Sequence, residues 1–282
     1  MELKNIPFSI NCKGQLLDFS TVKIMGVLNV TPDSFYDGGK YNRAAQALLQ
    51  VEKMLEDGAD IIDVGGMSSR PGAAIIPVEE ELKRVLPVVT EIHQRFPSAI
   101  ISIDTIHAQV ALESVEAGAS IVNDISAGTL DANMIPTVAK LGVPYILMHM
   151  KGRPKTMQAQ TVYSKDIVLS LIDFFHQKTA ECRAAGIHDV VLDVGFGFGK
   201  TIEQNYQLLN QLDHFSVFDY PMLAGVSRKS MIWKPLGISP KEALNGTTAL
   251  HMLCVQKGVH LLRVHDVAEA KEVLKLWELV NA

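Results

Sequence analysis

Apolar runs and amphipathic stretches alternate along most of the chain. Each run is short enough for a buried strand, and each stretch has the spacing of a surface helix. The runs lie at residues 22–28, 60–65, 99–104, 120–124, 143–148, 189–194, 221–226 and 260–264. The helical stretches lie at 42–57, 78–95, 107–117, 131–141, 164–186, 202–213, 240–258 and 266–280. This alternation predicts an α/β protein that forms a single (β/α)8 TIM barrel domain over residues 1–282. A doubly wound open sheet is the alternative, because spacing alone does not establish closure.

The boundaries of these segments carry suitable residues. Four glycines each end a helical stretch just before an apolar run, as glycines at helix C-termini do: Gly58, Gly118, Gly142 and Gly186. Ahead of the first strand, residues 8–20 alternate loosely and turn near Lys13-Gly14. This segment predicts a short N-terminal β-hairpin that covers one end of the core.

Composition narrows the class of protein. A net charge of −5 without a block of Lys or Arg argues against a broad basic face for nucleic acid or anionic membrane. No apolar window approaches the roughly 18 residues of a membrane span, and residues 1–7 lack the apolar core of a signal peptide. Cys12, Cys182 and Cys254 are far apart and form no CxxC pair, which indicates buried thiols in a reducing compartment. The sequence therefore predicts a cytoplasmic protein.

Polar or glycine-rich residues follow every apolar run. In a barrel, the carboxyl ends of the strands build the functional site, so these positions supply the candidates. A purely structural barrel would not need such residues at all its strand ends. The first of these loops, residues 29–39, is also longer than the usual connection of about 2–6 residues, which indicates a binding loop.

Each acidic or amide candidate has a structural role as the alternative to ligand binding, and that role differs from residue to residue. Asp104 and Asp193 end apolar strands, where an unpaired carboxylate is unfavourable. Asp104 could instead cap the following helix, whereas Asp193 precedes a glycine-rich loop and is the better ligand contact. Asn123 either meets the edge of a heterocycle, since it donates and accepts, or forms a turn. Asp63 and Asp124 are interpreted as internal hydrogen-bond partners.

Cationic candidates concentrate near the end of the chain. Arg263 and His265 alternate on the last strand and share one face, which predicts an anion site where barrels commonly bind phosphate. Pairing of Arg263 with a barrel carboxylate is the less favoured alternative. Lys229 is either a Schiff-base lysine or a positioning cation, and Arg70 is either an anion clamp or a solvated loop charge. His149 is interpreted as a core residue.

The segment at 195–200, Gly-Phe-Gly-Phe-Gly-Lys, has the spacing of neither a P-loop nor a dinucleotide fingerprint. Its glycines would let the backbone approach a flat ligand closely. Phe198 would then be an aromatic wall or part of the core.

Together these motifs resemble the dihydropteroate synthases, pterin-binding barrel enzymes of folate biosynthesis that sulfonamides inhibit. The resemblance extends from about Lys23 to Asp266. Its most specific segments are residues 26–35, 63–66, 69–72, 123–126, 147–150, 195–200, 225–230 and 263–266. Two positions depart from the family pattern: Met67 stands where Glu is usual, and Val194 where Pro is usual.

The resemblance implies a transferase that joins 6-hydroxymethyl-7,8-dihydropterin diphosphate to para-aminobenzoate, as a homodimer with Mg²⁺. The implied pterin contacts are Asp104, Asn123, Met148, Asp193, Phe198 and Lys229. The implied diphosphate contacts are Asn29, Ser69, Arg70, Arg263 and His265, with Asn29 also holding the Mg²⁺. The implied para-aminobenzoate pocket is Phe35, Pro71, Lys229 and Ser230. The catalytic set is Asn29, Asp37, Asp104, Lys229 and Arg263, with Asp37 facing a cationic intermediate.

Two other functions share much of this pattern. A pterin-binding methyltransferase barrel, which passes a methyl group from methyltetrahydrofolate to a corrinoid, would have similar carboxylates and a similar asparagine. A pterin-binding module without turnover is the second alternative. The long first loop and the Ser-Arg-Lys segment at 227–229 favour a diphosphate and an arylamine over the methyl donor.

Overall fold

A computed structural model describes residues 8–31, 40–68, 72–159 and 161–281. Eight parallel strands form a closed barrel, and a separate antiparallel hairpin precedes it. The hairpin strands are β1 (Ser9–Cys12) and β2 (Gln15–Asp18). The barrel strands are β3 (Lys23–Asn29), β4 (Ile61–Gly65), β5 (Ile100–Asp104), β6 (Ile121–Asp124), β7 (Tyr145–Met148), β8 (Val190–Asp193), β9 (Met222–Ala224) and β10 (Leu261–Val264). Pairing of β10 with β3 closes the barrel, which confirms the predicted fold and excludes the open sheet.

Helices follow the barrel strands along the chain. The α-helices are α1 (Lys40–Glu56), α2 (Val78–Arg95), α3 (Ala108–Glu116), α4 (Met134–Leu141), α5 (Ile167–Ala184), α6 (Ile202–Asn210), α7 (Ser230–Leu236), α8 (Leu244–Gln256) and α9 (Val267–Val280). Short 3₁₀ turns occupy Met157–Ala159, Leu212–Phe218 and Pro240–Glu242. The predicted helix positions are confirmed, with boundaries that differ by a few residues.

Helix α7 is the element that the sequence pattern missed. It has only seven residues, contains Pro235 and ends at Gly237 in the left-handed conformation. Two turns are too short to show a helical period, and an internal proline weakens the signal further. The helix predicted from residue 240 begins instead as a 3₁₀ turn, in which Ser239 and Glu242 form a capping box.

The barrel interior is filled in layers. At its amino-terminal end, Ile10, Leu17 and Phe19 of the hairpin region pack on inward residues such as Met25 and Ile146. The hairpin therefore closes that end of the barrel, as predicted. A larger apolar layer lies between the strands and the surrounding helices. The described polar side chains of the predicted site lie at the other end of the barrel, where the strands have their carboxyl ends.

Three features of the structure bear on expectations drawn from the whole sequence. Cys12, Cys182 and Cys254 are free and buried, which confirms their interpretation as small apolar residues. Across the described ranges, no helix has both the length and the apolarity that a membrane span requires. The helix-ending glycines also behave as predicted: Gly142 has φ 64° and donates its N–H to the carbonyl of Val138.

Candidate active site

Strand register brings three predicted residues side by side at the carboxyl end of the barrel. Asn29 of β3 pairs with Gly65 of β4, and Gly65 pairs with Asp104 of β5. Asp104 in turn pairs with Asn123 of β6. A Cβ atom on Gly65 would lie 3.7 Å from Asn29 Oδ1 and 3.6 Å from Asp104 Oδ2. The missing side chain of Gly65 thus leaves a small cradle bordered by two oxygen atoms.

Arg263 reaches across this end of the barrel to two carboxylates. Its Nε donates to Asp63 Oδ2 at 2.6 Å, and its Nη2 donates to Asp104 Oδ2 at 2.7 Å. Asn123 Nδ2 also donates to Asp63 Oδ2, at 3.1 Å. The carboxylate pairing of Arg263, which the sequence analysis ranked second, is therefore present. A guanidinium has five N–H donors, so two ion pairs leave capacity for an anion.

Burial sets the ionisation of this network. Desolvation raises the pKa of Asp104, the positive charge of Arg263 opposes that rise, and the neighbouring carboxylate of Asp63 adds to it. Burial alone would lower the pKa of Arg263, but the charges of Asp63 and Asp104 raise it above the ordinary value. Arg263 therefore stays positively charged and holds the carboxylates of Asp63 and Asp104 at the barrel mouth.

Asp193 and Lys229 form the second polar group, on the side of β8 and β9. Asp193 Oδ1 accepts from the backbone N–H of Gly195 at 2.7 Å. Lys229 Nζ donates to the carbonyl of Phe196 at 2.6 Å and lies 4.8 Å from the centre of the Phe198 ring. Burial lowers the pKa of Lys229 to about 8, against the opposing charge of Asp193. Burial also raises the pKa of Asp193, and Lys229 opposes that rise.

The glycine-rich loop after β8 is organised by Lys200, which the sequence analysis did not identify as a site residue. Its buried Nζ donates to the carbonyls of Gly195 at 2.9 Å and Phe198 at 3.1 Å. It also lies 3.0 Å from His149 Nδ1, which accepts if the other ring nitrogen carries the proton. His149 is itself buried, as interpreted from the sequence. Burial lowers the pKa of Lys200 well below its ordinary value. Its amino group, as a donor inside the loop, thus fixes the backbone that carries Phe198.

An apolar cluster lies at the same end of the barrel. It combines the predicted Met148 and Phe198 with side chains that the sequence analysis did not single out: Met67, Ile106, Ile125 and Met157. Met67, at the position where the resembled family usually has Glu, is buried in this wall. Ile106 and Ile125 follow polar strand ends by one or two residues, a spacing that could have indicated them. Met157 comes from the segment after β7 and carries no such signal.

The last two strands are joined at the rim. Ser227 Oγ lies 3.0 Å from His265 Nδ1 and accepts from the His265 backbone N–H at 3.2 Å. Arg228 forms a two-bond ion pair with Asp266, each bond 2.8 Å long. His265 is exposed, yet partial desolvation of its ring and the charge of Arg263 lower its pKa. A neutral imidazole therefore stands at the rim near pH 7.

Two further interpretations are settled by hydrogen bonds. Asp124 Oδ2 accepts from the hydroxyl of Tyr145 at 2.7 Å, and its Oδ1 accepts from Ser126, so it is an internal partner. The capping alternative for Asp104 is wrong, because the first N–H of α3, on Ala108, donates to Asp131 Oδ2 at 2.8 Å. Asp104 is thereby left to Arg263 and the barrel mouth.

Several predicted site residues lie outside the described ranges: Phe35, Asp37, Ser69, Arg70 and Pro71. Ser230 is described, as the partly buried first residue of α7 directly after Lys229. Among the described residues, no group of three or more His, Cys, Asp or Glu side chains could hold a metal ion. Asn29 and Asp104 are the described oxygen donors beside the Gly65 cradle.

Known proteins resemble this chain closely. Residues 25–265 match the family described as pterin binding enzyme. The dihydropteroate synthase of Haemophilus influenzae is 46% identical over 93% of this chain and 95% of its own length, and that of Escherichia coli is 46% identical over 94% of each. The crystal structure of Yersinia pestis dihydropteroate synthase with a sulfonamide drug complex superposes with a TM-score of 0.91 at 42% identity, over 97% of this chain and 99% of that one. The Xanthomonas albilineans enzyme with 4-aminobenzoic acid superposes with a TM-score of 0.91 at 38% identity, over 97% and 98%. The chain belongs to the pterin binding enzyme family and, within it, to the dihydropteroate synthases.

Proposed function

We propose that this chain joins 6-hydroxymethyl-7,8-dihydropterin diphosphate to para-aminobenzoate, giving 7,8-dihydropteroate and diphosphate. The observation that carries the proposal is the grouping of Asp104, Asn123, Asp193 and Lys229 in one barrel mouth, in a chain 46% identical to dihydropteroate synthases. A pterin edge presents several N–H donors, and buried carboxylate and amide oxygens are their natural acceptors.

The pterin would lie between the two polar groups. Asp193 accepts its ring N–H groups, while Asp104 and Asn123 contact the ring from the side of β5 and β6. Met148 and Phe198 supply the apolar faces against which a flat heterocycle packs. The positive charge of Lys229 opposes the rise that burial causes in the pKa of Asp193, and it thereby favours the charged acceptor.

The departing diphosphate would be bound by Arg263 and His265, at the end of the last strand. Arg263 is fixed by two carboxylates and keeps donors for phosphate oxygens, and His265 can donate from the rim. We include Ser69 and Arg70 in this group on the strength of the sequence motif. The positive charges of Arg263 and Arg70 would stabilise the negative charge that grows as the bond to the pterin methylene breaks.

The oxygen donors at the Gly65 cradle fit a magnesium ion. Mg²⁺ commonly takes one or two protein oxygens and completes its shell with water and substrate phosphates. Asn29 Oδ1 would hold it, with Asp104 close by. When bound, the ion neutralises charge on the diphosphate.

In the reaction, the bond between the methylene carbon and the diphosphate oxygen breaks, and the electron pair leaves with diphosphate. The positive charge spreads into the dihydropterin ring, where Asp104 and Asp37 would stabilise it. The neutral arylamine then forms the new C–N bond and loses a proton to solvent. Phe35, Pro71, Lys229 and Ser230 would orient the benzoate, so that catalysis depends on positioning more than on a strong base.

Diphosphate release in the presence and absence of para-aminobenzoate tests this function. We expect release to require para-aminobenzoate and to be accompanied by dihydropteroate. Methyl transfer from methyltetrahydrofolate to a corrinoid, without diphosphate release, would favour the methyltransferase instead. Pterin binding without any product would indicate a non-catalytic module.

We also propose that the protein is a cytoplasmic homodimer. Leu236 of α7 and Leu253 of α8 are exposed although both are apolar. Leu236 contacts the face of α8 that bears Gly246, and Leu253 lies two turns farther along the same face. This exposed apolar stripe supports the proposal that a second copy of the chain packs against it. The free thiols support a reducing compartment. Sedimentation at micromolar concentration tests the dimer, and a monomer would contradict it.

A further inference from the structure

A short segment after β7 carries three cations at the barrel mouth. We call residues 151–157 the rim segment. It contains Lys151, Arg153 and Lys155, and no acidic residue occurs between 149 and 165. This local charge is opposite to the net charge of −5 on the whole protein. Such a local excess creates a positive field on a surface that otherwise repels anions.

The rim segment is held in place by the burial of Met157 and by an internal turn. The Met157 side chain is buried in the apolar cluster with Met148 and Phe198. The carbonyl of Arg153 accepts from the backbone N–H groups of Thr156 and Met157, at 2.9 and 2.8 Å. The segment therefore forms an ordered turn beside the apolar wall that Met148 and Phe198 provide.

One backbone bond joins this segment to the loop after β4. The N–H of Gly72 donates to the carbonyl of Pro154 at 3.1 Å. Pro154 is buried, and the exposed residues Arg153 and Lys155 flank it directly. The two cations are thus carried beside the entrance, next to a loop whose sequence motif is expected to contact diphosphate.

These cations also lack the carboxylate partners that the inner cations have. Arg263 and Lys229 are offset by Asp63, Asp104 and Asp193. Over the described part of the chain, neither Arg153 nor Lys155 forms an ion pair. The inner part of the mouth therefore carries little net positive charge, whereas the positive charges of Arg153 and Lys155 in the rim segment are not compensated.

We propose that the rim segment is an anion-capture surface. Arg153 and Lys155 attract the diphosphate-bearing substrate, and to a smaller degree the benzoate, to the mouth before the inner residues bind them. The proposal rests on the proposed function, whose substrates are both anions. Because the two side chains need not contact the reacting atoms, they act on substrate capture and leave the chemical step unchanged.

The test compares two double variants with equal charge changes. In Arg153→Gln/Lys155→Gln, the rim charge is removed. In the control Lys271→Gln/Lys275→Gln, the same charge is removed from α9, where Lys271 lies beside Gly58 at the opposite end of the barrel. Kinetics would be measured at ionic strengths of about 0.02 M and about 0.5 M, where the screening length is roughly 20 Å and roughly 4 Å.

We expect the rim variant to lower kcat/KM for the pterin diphosphate by about three- to tenfold at low ionic strength, the combined effect of two exposed charge pairs. The loss should be smaller for para-aminobenzoate, should disappear at high ionic strength, and should leave kcat and the calorimetric affinity for uncharged hydroxymethylpterin unchanged. The control variant should show none of these losses.

The capture proposal is refuted if the rim variant behaves like the control. It is also refuted if the loss of kcat/KM persists at high ionic strength, or if the affinity for the uncharged pterin falls as well. A persistent loss would mean that the substitutions disturb the fold of the segment. An assay of the unaltered protein distinguishes failure of the capture proposal from failure of the proposed function. Failure of that protein to form dihydropteroate contradicts the proposed function, whereas normal turnover with an unaffected rim variant contradicts capture alone.

Discussion

Replacement of Arg263 by methionine would test the charge network at the barrel mouth. The substitution keeps an unbranched side chain but leaves Asp63 and Asp104 without their shared cation. Opposite charges near 4 Å attract by about 4 kcal/mol at an effective dielectric constant of 20. Removal of one partner from a buried ion pair commonly destabilises a protein by about 3–5 kcal/mol, because a buried charge is left uncompensated. We expect Arg263→Met to lower the free energy of unfolding by about that amount at pH 8.

The loss should depend on pH with a definite sign. Burial already raises the pKa of Asp104, and removal of the Arg263 charge would raise it further. The pKa of Asp104 in the folded variant then lies above the unfolded value of about 4. Between these two pKa values the folded state binds more protons than the unfolded state, so stability falls as pH rises. The variant is therefore destabilised increasingly as pH rises through the folded pKa of Asp104. Urea unfolding at pH 5.5 and pH 8 would measure the difference.

Arg228→Met is the matched control. Its partner Asp266 is partly exposed, and exposed ion pairs contribute about 0–1 kcal/mol. We expect a small loss for Arg228→Met with little dependence on pH, and partial recovery when Asp104→Asn is added to Arg263→Met. Equal, pH-independent losses in the two arginine variants would refute the role assigned to Arg263 as the cation that holds buried carboxylates.

Other parts of the site give simpler predictions. Asp193→Asn should lower pterin affinity by about 100-fold or more in calorimetry, because a charged acceptor is lost, whereas Asp131→Asn, which alters the carboxylate that accepts from the first N–H of α3, should not; equal pterin affinities of the two variants would contradict the pterin role of Asp193. Lys200→Met should lower both the melting temperature and pterin affinity, because the carbonyls of the glycine-rich loop lose their donor, and normal affinity would show that the loop orders without it. Affinity for the pterin diphosphate should fall as pH rises through about 8, where Lys229 loses its charge; a flat titration between pH 6.5 and 9.5 would contradict this.

Much of the architecture follows from sequence pattern alone. Strands buried on both faces read as continuous apolar runs, so all the barrel strands were predicted within a few residues. Closure was not available from the pattern, because pairing of β10 with β3 joins residues at opposite ends of the chain. Helix α7 was missed because seven residues with an internal proline show no helical period.

The site was predictable where a strand end fixes a side chain. Asn29, Asp104 and Asp193 end barrel strands, and Asn123 is the last residue but one of β6. Strand register brings Asn29, Asp104 and Asn123 together around Gly65, and it sets Asp193 beside Met148. The pairing of Arg263 with two carboxylates was underestimated, because an inward cation meets whatever charges the other strands provide.

Residues that act through loops were harder to find. Lys200 stands in a glycine-rich motif, but its role depends on the folded loop, which turns three carbonyls and the His149 ring toward one amino group. Met157 reaches the apolar wall from a 3₁₀ turn in a long connection. Neither contact has a period or a spacing that a linear pattern could reveal.

Product formation from both substrates tests the central claim most directly. The purified protein would be incubated with 6-hydroxymethyl-7,8-dihydropterin diphosphate, para-aminobenzoate and Mg²⁺, and dihydropteroate and diphosphate would be quantified together. We expect equal amounts of the two products, neither of which forms when para-aminobenzoate is omitted. Diphosphate release that does not need para-aminobenzoate, or tight pterin binding with no dihydropteroate, would contradict that claim.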